Sequence, residues 1–302
     1  MTLRALVVGS LVMDLAFRVP ARPEPGEVII ADDFATFRGG KGYNQAVALS
    51  RLGADVTMVG AVGADAYGDA FLEALRREGV DADRVVQMRG TDTALAVPLI
   101  TPDGEVGFVQ HPGANHQLTP AHCADLPDCD VLLLQGEVTP VASEHAGRVI
   151  RKRGGLVLLN PAPVHDVTPA MLATASVVVP NEVEARALSG IRSDDPLALA
   201  RAARAPGRRA VVTLGAAGAA WAAEDPDDDT AELVAPPTVE ALDTTGAGDS
   251  FCAALAVALG EGHDYPSAVR FACAAGAHAA TVAGAEPGLP RRADVEALLA
   301  AG

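Results

Sequence analysis

Two glycine-rich runs stand where backbone amides could face a charged ligand. One is DTTGAGDSFCAALAVALG, Asp243–Gly260. Gly246, Ala247 and Gly248 are small enough for their N–H groups to approach a ligand closely, and an apolar, helix-like stretch follows at once. A turn feeding a helix N-terminus gathers unpaired N–H groups and the positive end of the helix dipole at one point. Asp249 stands beside that point. A carboxylate there could accept a proton from an attacking hydroxyl while the amides stabilise a transferring phosphoryl group. Capping the helix is the other role open to Asp249 or Ser250, and spacing alone does not choose between the two. The run contains GxG, but Phe251 stands where a dinucleotide fingerprint needs its third small residue, and the run lies far from the first strand. No GxxxxGK[ST] occurs, so this is not a P-loop.

The second run is FRGGKGYNQAVA, Phe37–Ala48. Gly39, Gly40 and Gly42 precede an apolar helix expected to begin near Asn44, with Lys41 among them. Small residues let a polyhydroxylated ligand lie against backbone, and Asn44 offers both a donor and an acceptor to hydroxyls. A tight turn into a helix is the ordinary alternative. Glycines packed this densely cost chain entropy unless close approach is needed. The acidic stretch Glu224–Asp229 reads as a solvated hairpin loop after Trp221, because nothing near it would fix a metal geometry.

Short apolar runs alternating with helix-like stretches must position these groups. Leu6–Val8, Val56–Val59, Val131–Leu134, Leu156–Leu159, Val177–Val179 and Ala210–Thr213 read as strands covered on both faces. Asn44–Leu52, Gly68–Glu78, Ser143–Arg153, Glu182–Leu188 and Leu197–Arg204 read as helices, several closed by a glycine at Gly53, Gly79, Gly154 or Gly190. From Ser250 the chain reads as nearly all helical. The alternation predicts an α/β fold: a doubly wound, mainly parallel sheet flanked by helices. Leu11–Phe37 and Arg89–His111 break it with β-like character, and Pro102–Gly104 carries a hairpin signal. These segments predict a small separate sheet inserted into one domain spanning residues 1–302.

The formal net charge of -16 argues against nucleic acid and anionic membranes as partners. An anionic substrate then needs a local electropositive site. The four cysteines form no CxxC pair, which disfavours disulfide frameworks and zinc. No signal peptide or membrane span is expected, and a cytoplasmic location is the default.

Taken together, GGKGYNQAVALSRLGA and DTTGAGDSF resemble the two signatures of the ribokinase-like (PfkB) carbohydrate kinases. HPGAN (His111–Asn115), LNPAP (Leu159–Pro163), PNEVEARALSGI (Pro180–Ile191) and VTLGAAGAAW (Val212–Trp221) are similar to the family at matching positions and in order. The resemblance implies an α/β domain with a small β lid over a sugar, and ATP-dependent phosphoryl transfer to a sugar hydroxyl. A nucleoside acceptor is the alternative, and a non-catalytic sugar sensor is a further one. It implies that Asp249 is the base and that Gly246, Ala247 and Gly248 form the anion hole. Asn181 and Glu184 would organise Mg²⁺ and phosphate. Thr213, Gly215 and Gly218 would lie along ATP. Asp243 with carbonyls of 283–286 would hold a monovalent activator such as K⁺. Asp14, Gly40, Lys41, Asn44 and Glu137 would grip sugar hydroxyls. The lid implies a possible homodimer. The chain departs from the pattern at Val12: ribose-binding members resemble GSxNxD, where this chain reads GSLVMD. Loss of that amide weakens the case for ribose recognition.

Overall fold

Strand β1 (Arg4–Val8) buries alternate side chains in two different cores. Val7 joins one hydrophobic cluster, Leu6 and Val8 another. This two-sided burial explains the unbroken Val/Leu runs. The protein, described here from a computed structural model, has residues 2–301 placed except 104, 206 and 226.

The chain continues through β2 (Val12–Arg18), β3 (Asp33–Gly39), α1 (Lys41–Arg51), β4 (Asp55–Gly63), α2 (Ala66–Arg77), β5 (Asp81–Met88), β6 (Ala94–Ile100) and β7 (Val106–His111). Then come β8 (Val131–Leu134), α3 (Pro140–Lys152), β9 (Leu156–Leu159), α4 (Pro169–Thr174), β10 (Val177–Val178), α5 (Glu182–Ser189), α6 (Pro196–Ala203) and β11 (Arg209–Thr213). The last elements are β12 (Ala219–Ala222), β13 (Ala231–Val234), α7 (Ala247–Gly260), α8 (Tyr265–Ala279), α9 (Ala285–Gly288) and α10 (Arg292–Ala301).

The main sheet has nine strands in the order β13-β12-β11-β10-β9-β8-β1-β4-β5. It is parallel from β11 to β5 and antiparallel at β12 and β13. Strand order reverses between β1 and β8. The carboxyl ends of those strands therefore open a crevice lined by Gly9, Ser10 and the segment after Leu134, where open α/β sheets bind ligands. A separate four-stranded sheet, β3-β2-β6-β7, is built from the two segments that broke the alternation.

Several boundaries moved. Helix α1 begins at Lys41, not near Asn44, so both side chains ride on its first turn. Strand β3 runs on to Gly39. Strand β5 carries Asp, Arg and Gln on an edge, where one face meets water, and so lacks the apolar run of a central strand. VTLGAAGAAW supplies the end of β11 and all of β12, and the acidic loop does join β12 to β13. Within the hairpin signals, Gly104 and Pro226 lie outside the described residues. The expected glycine caps at 53, 79, 154 and 190 all have positive φ. All four cysteines are free, and among the described residues no helix is long and apolar enough to cross a membrane.

Candidate active site

Glycine 42 brings α1 against the end of β1. A side-chain carbon there would lie 2.5 Å from Gly9 C and 2.7 Å from Gly9 Cα, so only glycine permits this approach. The amides that open α1 consequently face the β1/β8 crevice. The Lys41 N–H donates to Glu137 Oε2 at 2.8 Å, and the Ser10 hydroxyl donates to the same oxygen. Asp14, on β2 of the small sheet, lies beside them. Burial first, and then the Glu137 charge, push its carboxyl up from 3.8 to about 6.

Asp249 enters from the opposite side. It lies in the first turn of α7 behind Gly246, which is left-handed at φ 81. A carbon added at Gly246 would sit 3.1 Å from Ala285 Cα. The Asp249 carboxylate is buried and held by α1: Asn44 Nδ2 donates to Oδ2 at 2.9 Å and Gln45 Nε2 to Oδ1 at 3.0 Å. Gln135, just beyond β8, donates Nε2 to Gln45 Oε1 at 2.7 Å. Asn44 Oδ1 is buried without a partner. For the Lys41 ammonium, burial opposes the charge, but Asp249, Glu137 and Glu184 overcome it and raise its pKa to about 12. One cation thus sits among three carboxylates.

A cleft of about 360 Å³ abuts this group. Thr213, Gly215, Gly218, Pro236, Ala247 and Gly248 are among its walls. Mostly small and apolar walls with amides at one end suit a nucleotide: the base against carbon, the phosphates at the α7 N-terminus.

Asn181 and Glu184 close on each other. The Glu184 N–H donates to Asn181 Oδ1 and the Asn181 N–H to Glu184 Oε2, both at 2.9 Å, a reciprocal cap of α5. Burial pushes the Glu184 carboxyl up, partly offset by the Asn181 amide and Lys41. Among the described residues no three His, Cys, Asp or Glu side chains converge on a metal. Glu184 is a single carboxylate that could hold Mg²⁺ together with substrate phosphates. Asp243 Oδ1 accepts from Thr245 N and Oγ1, and Oδ2 accepts from Gly284 N at 2.8 Å, tying the 283–286 segment to the glycine turn.

The predicted residues therefore fall into three neighbouring groups: Asp14, Gly40, Lys41, Asn44 and Glu137; the Gly246–Asp249 turn; and Thr213, Gly215 and Gly218. Asn181 and Glu184 lie at the α5 start, with Glu184 close enough to act on Lys41. Sequence reasoning missed Gln45, Gln135 and Ser10. It also missed Arg38, which donates to both Glu286 oxygens at 2.9 and 3.1 Å and so ties the small sheet to α9. Gln45 was adjacent to a named residue, but nothing in a sequence says that a glutamine faces a carboxylate some 200 positions away.

The pfkB family carbohydrate kinase model matches residues 2–292. The chain belongs to this family. The ribokinase of Bacillus subtilis (strain 168) is 36% identical over 298 residues, covering 97% of this chain and 98% of the relative. The structure of Arabidopsis thaliana ribokinase complexed with ribose and ATP superposes with a TM-score of 0.88 at 30% identity, covering 99% of each chain. Thermotoga maritima ribokinase superposes at 0.85, also at 30% identity and 99% coverage of each chain. Membership of the pfkB family makes the chain a phosphotransferase acting on an alcohol group.

Proposed function

We propose that this protein transfers the γ-phosphoryl group of ATP to a hydroxyl of ribose or a closely related sugar, with Asp249 as base. The observation that carries the reading is the placement of the Asp249 carboxylate. It stands between the nucleotide cleft at Ala247–Gly248 and the Lys41, Asn44 and Glu137 group.

In this reading the sugar lies in the β1/β8 crevice under the small sheet. Asp14 and Glu137 accept from its hydroxyls, the Gly40–Lys41 backbone lies against it, and the orphan Asn44 Oδ1 gains a donor. Asp249 takes the proton of the acceptor hydroxyl. That oxygen forms its bond to the γ-phosphorus as the bond to the ADP oxygen breaks. The Gly246–Gly248 amides and the α7 dipole stabilise the charge on the transferring group. ATP lies along Thr213, Gly215 and Gly218. Mg²⁺ near Asn181 and Glu184 would neutralise phosphate charge. A monovalent cation would sit between the Asp243 loop and the 283–286 carbonyls, where it would stiffen the glycine turn.

The small sheet exposes Phe34 and Val109 on the face turned away from Asp14, apolar surface that a second copy of the chain would cover. Sedimentation of the parent against Val109→Asp tests this, with a dimer expected only for the parent.

The central test is ADP release on ribose, other pentoses, ketohexoses and nucleosides. Ribose or a near relative should be fastest. A nucleoside that outcompetes free ribose would move the assignment to a nucleoside kinase. Binding without turnover on every acceptor would mark a sensor. Asp249→Asn should lower kcat by about 10³-fold or more with ATP binding retained. Near-normal turnover would reject the base assignment.

A further inference from the structure

An amide side chain can offer a neighbour either its NH₂ or its carbonyl oxygen, and only the NH₂ suits an ionised carboxylate. Gln45 offers its NH₂ to Asp249 Oδ1. Its other end is fixed by Gln135, whose Nε2 donates to Gln45 Oε1 at 2.7 Å. Both glutamines are fully buried, so no water can satisfy them in another orientation. The donor–acceptor sense therefore runs one way, from Gln135 through Gln45 to Asp249.

This chain of amides costs stability. Gln135 Oε1 is buried with no partner. A carbon on Gly9 would land on that oxygen and 2.7 Å from Gly42 Cα, so the loop after β1 carries glycine where the Gln135 amide lies. A buried acceptor left unpaired is destabilising, and apolar side chains of similar length at both 45 and 135 would fill the same space without that penalty. Packing alone therefore gives no reason for the pair of amides, nor for Gln135 at its end. The amide it orients, and the carboxylate beyond, do give one.

We propose that Gln45 and Gln135 are positioning residues for the base: Gln135 fixes the Gln45 amide, and the Gln45 NH₂, with Asn44, fixes the Asp249 carboxylate so that a remaining lone pair faces the acceptor hydroxyl. Two donors set the plane of the carboxylate, whereas one would leave it free to turn. The effect belongs to the chemical step and not to ground-state binding, because neither glutamine is among the residues placed on sugar or nucleotide. The proposal rests on Asp249 being the base.

The experiment compares Gln135→Met, Gln45→Met and the double variant by steady-state kinetics, calorimetric binding of ribose and ATP, and thermal unfolding. Hydrogen bonds to charged groups of this kind predict a kcat loss of about 10- to 100-fold for Gln45→Met and about 10-fold for Gln135→Met. Ribose and ATP dissociation constants should stay within about twofold. The Gln135→Met protein exchanges one unpaired buried acceptor, Gln135 Oε1, for another, Gln45 Oε1, so its melting temperature should fall by only a few degrees, the loss of about one hydrogen bond. The double variant should be no slower than Gln45→Met, since Gln135 acts only through Gln45. If Gln135→Met does not fold, Gln135→Leu removes the donor with a smaller side chain, and the same fall in kcat is expected. A stable Gln135 variant with parental kcat, or losses that multiply in the double variant, would overturn the proposal. Asp249→Asn measured alongside separates the two ideas. If it collapses turnover while the glutamine variants do not, only the positioning role fails. If it retains turnover, the base assignment itself fails.

Discussion

Gly248→Ala separates a glycine kept for folding from one kept for a ligand. Gly248 is in the first turn of α7, its φ is not positive, and an added carbon would meet no atom within 4 Å. The fold therefore has no objection to alanine there. Alanine is favoured over glycine in a helix by up to about 1 kcal/mol, so Tm should hold or rise by about 1–3 °C. The open space beside Gly248 belongs to the cleft proposed to take ATP. A methyl group there stands where a phosphoryl oxygen must come within hydrogen-bond distance of the α7 amides. Losing one preorganised donor costs about 10²-fold or more in kcat, about 2.7 kcal/mol. Scanning calorimetry and coupled ADP release at saturating ribose read the two effects separately. A stable variant with kcat within about threefold of the parent, under about 0.7 kcal/mol, would show that the phosphoryl group does not pass these amides.

Gly42→Ala should behave in the opposite way: its carbon meets the Gly9 backbone, so urea unfolding should show a loss of about 1–3 kcal/mol or more, and parental stability would contradict the close packing of α1 on β1. Folding raises the Asp14 pKa from 3.8 to about 6, so the folded chain holds that proton more tightly than the unfolded chain; this group's ionisation removes stability as pH rises from about 4 to about 6, by at most about 3 kcal/mol. Asp14→Asn should therefore be more stable than the parent near neutral pH and show a flatter stability profile across that window, while sugar KM rises; an unchanged profile in unfolding experiments would place the carboxylate in water. Val12 is packed with Ala94 and Ala96, so Val12→Asn buries an unpaired amide and should lower stability by about 1–3 kcal/mol. Added ribose should recover part of that loss and raise Tm more than it does for the parent; an equal ribose shift in both proteins would show that Val12 lies away from the sugar.

The sequence alone determined the class of sheet, because Val/Leu runs such as Leu132–Leu134 survive only where both faces are covered. It also determined the small sheet, because residues 11–37 and 89–111 lack helical periodicity, and the glycine turns, because left-handed backbone leaves a chemical trace at Gly53, Gly190 and Gly246. Local conformation is written in local residue types. Edge strand β5 and the two-residue β10 carry too little pattern to be read this way. Asp249 was legible as a carboxylate at a helix start, yet its helix-cap and base roles share one local signature. Tertiary structure shows that Asp249 does not cap α7: with α1 against α7, Asn44 and Gln45 hold the carboxylate while the cleft opens beside Gly248. Asn181 and Glu184, expected only to organise Mg²⁺ and phosphate, cap α5 reciprocally, and the fold sets Glu184 near Lys41. Spacing fixes what each segment can become. Which groups share a site depends on contacts between residues far apart in the chain, as between Gln45 and Asp249, and only packing decides those.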